Sequence, residues 1–171
     1  MPHYFVWTIG CQMNKAESQQ IAGYLDSAGY QAATSFSHAD LVVLNTCVVR
    51  QSAEDKILGT LGLLKGLKSK HPDLQIFVTG CFVNSHTQEL QRQFPHVDLL
   101  FKPGDYTELI TWGQKRGMPI EQRLPRYARN DSRSAPSPCA LISIIQGCDN
   151  FCSYCIVPYR RGREVSRPAE E

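Results

Sequence analysis

No apolar stretch in this sequence approaches the roughly 20 residues that cross a bilayer. The longest strongly apolar runs, such as "ALISII" at 140–145, are far too short, so no membrane partner is expected. The N-terminus has no basic stretch leading into an apolar run, which excludes a recognisable secretory signal and points to the cytoplasm. No G-x-G-x-x-G or G-x-x-x-x-G-K-S/T loop follows a candidate strand, which argues against a nucleotide-binding domain with incidental cysteines. His3, His38, His71, His86 and His96 are scattered without ligand spacing and are assigned no role. Net charge is nearly absent too, with 18 Lys and Arg against 16 Asp and Glu. Its distribution is uneven. Residues 1–112 carry eight basic and ten acidic side chains, whereas residues 113–171 carry ten and six, the basic ones mostly Arg. The C-terminal third therefore leans toward a phosphate-bearing partner.

Cysteine is plentiful by contrast. Seven thiols in a cytosolic chain favour metal ligation or catalysis over disulfides, and an odd count suits a disulfide framework poorly. Cys148, Cys152 and Cys155 stand at C-x3-C-x2-C spacing within "QGCDNFCSYCIVPYRRG".

The first two-thirds of the chain alternates strand and helix signals. "YFVWTI", "DLVVLN", "LQIFVTG" and "VDLLF" read as buried strands. Between them, "NKAESQQIAGYLDSAGY" opens with Asn14 and Glu17 in capping-box spacing and ends at Gly29. "SAEDKILGTLGLLKGLKSKH" has Ser52 as its expected N-cap, and "NSHTQELQRQF" and "YTELITWGQKR" complete the helices. This order predicts an α/β fold with an open, parallel, Rossmann-like sheet over residues 1–116. Residues 117–138, with four prolines and no apolar periodicity, read as a linker. "CALISIIQ" is then expected to start a second domain over 139–171, with Cys139 at the start of that strand as a packing residue.

Cys11, Cys47 and Cys81 each close a predicted strand, in "TIGC", "LNTC" and "VTGC". The intervals of 36 and 34 residues are each one strand–helix–strand repeat. In a parallel sheet such repeats return the chain to one edge, so the three thiols are expected together on the carboxyl-end rim, where open α/β sheets place their sites. Three buried structural cysteines are the plainer alternative.

A structural zinc site commonly takes four ligands in two C-x2-C pairs. Here three cysteines share one short loop, and no Cys or His follows them. Three thiolates can hold three irons of a four-iron cluster and leave the fourth open to another ligand.

With its aromatic Tyr154 just before the last cysteine, "GCDNFCSYC" resembles the signature of the radical S-adenosylmethionine (SAM) enzymes. The resemblance implies that SAM chelates the open iron through its amino and carboxylate groups. Reductive cleavage would then give methionine and a 5′-deoxyadenosyl radical. It also implies that Tyr154 lies against the adenine, while a core aromatic remains the other reading of that residue. "TIGCQMNKAES", "LVVLNTCVVRQSAEDK", "IFVTGC" and "GCDNFCSYCIVPYRRGREVSRP" together are similar in order and spacing to the methylthiotransferase branch of that superfamily.

This likeness implies a second, auxiliary 4Fe-4S cluster on Cys11, Cys47 and Cys81, beside the radical-SAM 4Fe-4S cluster on Cys148, Cys152 and Cys155. It implies transfer of a methylthio group to C2 of N6-isopentenyladenosine next to the anticodon. The implied partners are the tRNA anticodon stem-loop, a reductant such as flavodoxin and a sulfur donor, with the protein acting as a monomer. Branches acting on N6-threonylcarbamoyladenosine or on a ribosomal-protein aspartate are the alternatives. Arg160, Arg161, Arg163 and Arg167 suit RNA phosphates, or form a solvated basic turn. The chain stops at "SRPAEE", before a radical SAM barrel is complete and without the family's RNA-binding domain, so a fragment without turnover is expected. "FKPGD" departs from the glycine-led turn of the family. From another class, a zinc- or metal-binding α/β module fits the same cysteines. Asn14 and Asn45 are placed near the auxiliary site, either capping and forming turns or donating to its sulfurs.

Overall fold

A computed structural model describes residues 1–83, 87–118 and 141–168. Five parallel strands form one sheet: β1 (His3–Thr8), β2 (Gln31–Ala32), β3 (Leu41–Thr46), β4 (Gln75–Gly80) and β5 (Leu99–Leu100), in the spatial order β2-β1-β3-β4-β5. Helices α1 (Gln12–Ser27), α2 (Gln51–Lys70), α3 (Thr87–Gln93) and α4 (Thr107–Gln114) connect or follow them.

The reason for this arrangement is visible in β3, whose six residues are all buried. Successive side chains of a strand point to opposite faces. Leu41 and Val43 join Phe77, Ile21, Leu25, Leu109 and Trp112 on the face covered by α1 and α4. Val42 and Leu44 join Ile76, Val78, Ile57, Leu61 and Leu64 on the face covered by α2, with Leu90 of α3 alongside. A strand apolar on both sides needs helices on both faces, which is the Rossmann-like α/β arrangement expected from the sequence.

Several local expectations are corrected. The first helix begins at Gln12 with Cys11 as its N-cap, so Asn14 and Glu17 are buried inside the helix rather than forming a capping box. Arg50, not Ser52, caps α2, and it does so without a side-chain hydrogen bond. β2 is an unexpected strand. Its two residues are exposed and pair with His3 and Tyr4 through backbone alone, so no apolar pattern announces it.

After Met118 the description resumes at residue 141. The predicted linker, beyond Gly117 and Met118, and Cys139 lie outside the described residues. Of the strand expected over 139–146, the described residues 141–146 are regular only at β6 (Ile145–Gln146), which pairs antiparallel with β7 (Val165–Ser166) around the short helix α5 (Val157–Arg161). Ile142 and Ile144 of the preceding stretch are 64% and 69% exposed, so nothing holds that stretch as a ladder. Among the described residues this segment forms no barrel, and no helix is long and apolar enough to cross a membrane.

Candidate functional site

Strands β1, β3 and β4 are neighbours, with Thr8 beside Asn45 and Asn45 beside Thr79. Their shared direction brings the three residues that follow them to one edge. Cys11 caps α1 just beyond β1, Cys47 directly follows Thr46, and Cys81 directly follows Gly80. Cys47 and Cys81 are each 5% exposed, whereas Cys11 is open to solvent.

The edge is tightly built. Gly10 has φ +125°, and a Cβ there would lie 2.5 Å from Cys47 Cβ and 3.1 Å from its Sγ, so the loop carrying Cys11 rests directly on Cys47. Gly80 has φ +91° and presses against the backbone of Thr46, with Asn45 Oδ1 2.7 Å from where its Cβ would be. Thr46 Oγ1 donates to Thr79 O and accepts from Phe82 N at 3.3 Å, tying the ends of β3 and β4 together.

Asn14 and Asn45 neither cap nor form turns. Both are fully buried struts. Asn14 Nδ2 donates to Ile9 O at 2.9 Å and Thr46 O at 2.8 Å, joining the β1 loop to the end of β3. Its Oδ1 accepts from Cys11 Sγ at 3.4 Å. Asn45 Nδ2 donates to Asn14 O at 2.8 Å and Ser18 Oγ at 3.0 Å. Their amide hydrogens are thus spent on oxygen acceptors, not on the cysteine sulfurs.

One group from the far end of the chain enters this edge. Arg161 Nη1 donates to Glu17 Oε1 at 2.6 Å, and Nη2 donates to Glu17 Oε2 at 3.2 Å and to Asn14 Oδ1 at 2.9 Å. The paired side chains are only 5% and 7% exposed. Burial alone would make Arg161 a weaker base, but Glu17 holds it above the ordinary arginine range. The guanidinium also lies beside Cys81. Burial pushes that thiol up, and Arg161 opposes the rise only in part. Arg161 is therefore not available to RNA phosphate as its sequence context suggested. Arg163 differs: its Nε is 3.2 Å from Asp149 in its own loop, with 75% of the side chain exposed.

The second thiol group is a loop with little beneath it. Cys148 and Cys155 are half-buried and Cys152 is exposed. Cys148 N donates to Gly162 O at 3.2 Å, and Cys155 N donates to Cys152 O at 2.9 Å. Phe151, between the first two cysteines, has φ +46°, a left-handed turn that a bulky residue rarely adopts. Its ring packs edge-on to Tyr159 and under Arg163. Tyr154 is 90% exposed, which removes the core-aromatic reading.

Among the described residues no three His, Cys, Asp or Glu side chains converge closely enough to enclose a single metal ion. A four-iron cluster spaces its thiolate ligands more widely than one ion does. Three thiols on one edge, two of them shielded from water and one beside a guanidinium, are a donor set that fits such a cluster. A cavity of about 390 Å³ lies at the opposite ends of the strands, lined by His3, His38, Asp40 and His71 among others. It contains none of the cysteines, and the opposite edge has the stronger claim because three thiols stand on it.

The sequence reading missed Arg161 with Glu17, which are 144 residues apart. The one available signal was an acidic residue inside an otherwise uncharged helix face.

The chain is 46% identical over 171 residues to the tRNA-2-methylthio-N(6)-dimethylallyladenosine synthase of Dehalococcoides mccartyi (strain ATCC BAA-2266 / KCTC 15142 / 195), covering 100% of the chain and 38% of that relative. It is 42% identical over 178 residues to the protein of that name from Dictyoglomus thermophilum, covering 100% and 40%. The one from Paracoccus denitrificans is 40% identical over 169 residues, covering 96% and 38%. The chain thus spans about two-fifths of the length of these curated relatives. The sequence profile of the uncharacterized protein family UPF0004 matches residues 3–102, which take in the whole sheet and all three of its rim cysteines, and the chain belongs to that family.

Proposed function

We propose that this chain supplies the thiolate ligands of two 4Fe-4S clusters in a radical SAM tRNA methylthiotransferase. The observation that carries the reading is the gathering of Cys11, Cys47 and Cys81 at the ends of three adjacent parallel strands, together with a second group that again offers three thiols. Residues 1–116 form the unit with the first ligand set, 117–138 join it to the next, and 139–171 carry the second set.

Cys11, Cys47 and Cys81 would hold the auxiliary cluster, and Cys148, Cys152 and Cys155 the one that binds SAM. When bound, these groups supply one-electron reduction of SAM and a site for carrying sulfur. The chain's own contribution is placement. The struts Asn14 and Asn45 fix the rim, burial keeps water from Cys47 and Cys81, and the Arg161 guanidinium offsets part of the rise that burial imposes on the Cys81 thiol. Tyr154, exposed beside the second group, is free to lie against an adenine.

The names of the relatives support tRNA as the substrate and N6-isopentenyladenosine as the modified nucleoside. The anticodon stem-loop, a reductant such as flavodoxin and a sulfur donor are the corresponding partners in the cytoplasm, with the protein acting as a monomer.

Iron and sulfide content with electron paramagnetic resonance, on anaerobically reconstituted protein, tests this. Two clusters mean about eight irons, falling to about four in each of the triple variants Cys11→Ala/Cys47→Ala/Cys81→Ala and Cys148→Ala/Cys152→Ala/Cys155→Ala. Zinc in place of iron would overturn the reading.

A further inference from the structure

We infer that Arg161 is a positioning residue that clamps the Cys148–Cys155 loop onto the edge bearing Cys11, Cys47 and Cys81, making the two thiol groups one bipartite site. What the thiols hold rests on the proposed function. The clamp itself is a property of the chain without metal.

Among the described residues the second group has no core of its own. Both apolar clusters found there are built from residues up to Met118, and the segment from 141 on buries only Pro158 while exposing Ile142, Ile144, Tyr159 and Val165. Its position must therefore come from specific contacts. Two of these are neutral and partly exposed to water: Ser143 Oγ to Met13 Sδ at 2.8 Å, a weak acceptor, and Gln146 Nε2 to Pro103 O at 2.9 Å.

The Arg161 contact is of another kind. Its planar fork meets both oxygens of Glu17, the geometry in which guanidinium–carboxylate pairs are strongest and most directional. Water is shut out from both partners, so lifting the segment exposes an uncompensated carboxylate in a buried site.

Arg161 and its neighbour together reach both thiol groups. On one side it touches Asn14, the acceptor of Cys11 Sγ, and lies beside Cys81. On the other, the next residue, Gly162, accepts the backbone hydrogen bond of Cys148. Two residues thus link the ligand groups. A solvated basic turn would do neither, and Arg163, paired within its own loop, is the internal contrast.

The test uses the reduced, metal-free chain. A short bis-maleimide is expected to join Cys11 to a thiol of the 148–155 loop in the parent protein, read by peptide mapping. Arg161→Met should lower that yield at least about tenfold, the scale of a coupled buried contact, with links inside the loop unchanged. Arg161→Lys should recover part of it, and Arg163→Met should leave it at the parent level. Parent-level yield in Arg161→Met overturns the clamp.

Hydrogen exchange gives a second reading. The amides of Cys148 and Gly162 should exchange at least about tenfold faster in both Arg161→Met and Glu17→Gln, while β3 keeps its parent rates. Loss of β3 protection in Arg161→Met also overturns the inference, since Arg161 would then stabilise the sheet instead of clamping a loop to it. A failed iron count would sink the cluster reading and leave the clamp standing, and the reverse holds equally.

Discussion

The two thiol groups are alike in composition and opposite in construction. Cys47 and Cys81 emerge from the ends of strands whose side chains are buried on both faces, so their places are set by the sheet. Cys148, Cys152 and Cys155 sit on a loop closed by a two-residue ladder and a five-residue helix. The first group is positioned by a core. The second is positioned by what it touches, chiefly one buried ion pair. Identical thiols can thus be held by different physics, with different ways to fail.

That contrast can be broken most forcefully at the core. Phe77→Ala empties a fully buried site between β4 and Trp112 and should cost about 3–5 kcal/mol in urea unfolding. Ile144→Ala, at 69% exposure, should leave the unfolding midpoint unchanged. Equal effects would mean that the C-terminal segment shares the core after all.

Gly10→Ala comes next. It forces a side chain into a left-handed position against Cys47 and should cost about 2–3 kcal/mol, with faster alkylation of Cys47. An unchanged alkylation rate would show that the loop does not rest on that thiol. Glu17→Gln removes the charge facing Arg161 and should cost about 1–3 kcal/mol. That is less than for a pair fixed in a core, because the loop can lift and let Arg161 rehydrate. Measured with Arg161→Met in a double-mutant cycle, the two should be strongly non-additive.

A smaller effect concerns pH. Burial holds His96 below its ordinary value of 6.5, with Nε2 3.1 Å from Leu61 O. The unfolded chain takes up the proton more readily, so this group's share of stability is complete above about pH 6.5 and is lost as pH falls toward the depressed folded value. His96→Gln should flatten that part of the stability profile. Because His96 faces α2 and not the thiols, hydrogen-exchange protection at Cys148 should not follow the same curve. Smallest of all, Tyr154→Ala should leave the melting temperature where it was, since the ring packs in neither core.

The same contrast explains what the sequence made legible. Apolar runs such as "LVVLNT" announce strands because burial on both faces writes a continuous pattern, and evenly spaced strands announce a shared edge. Two exposed residues pairing by backbone, as in β2, write nothing. The buried polar residues of α1 were read as a cap because Asn and Glu usually serve that way locally. Only tertiary packing, with Thr46 O and Arg161 arriving from distant positions, turns them into struts and an anchor. Over 141–146, the described part of the expected strand, only Ile145–Gln146 is regular, because an apolar run needs neighbours to become a ladder and among the described residues only Val165–Ser166 pairs with it.

The division of the core has a consequence for the order of manufacture. Among the described residues, every member of the two apolar clusters has been synthesised by Met118, so the sheet that carries the first three thiols can form while residues 141–168 are still unmade. Arg161 then emerges to find Glu17 already in place. The late segment inherits its position from a template formed before it existed, and a nascent chain paused between the two would present the first thiol group alone.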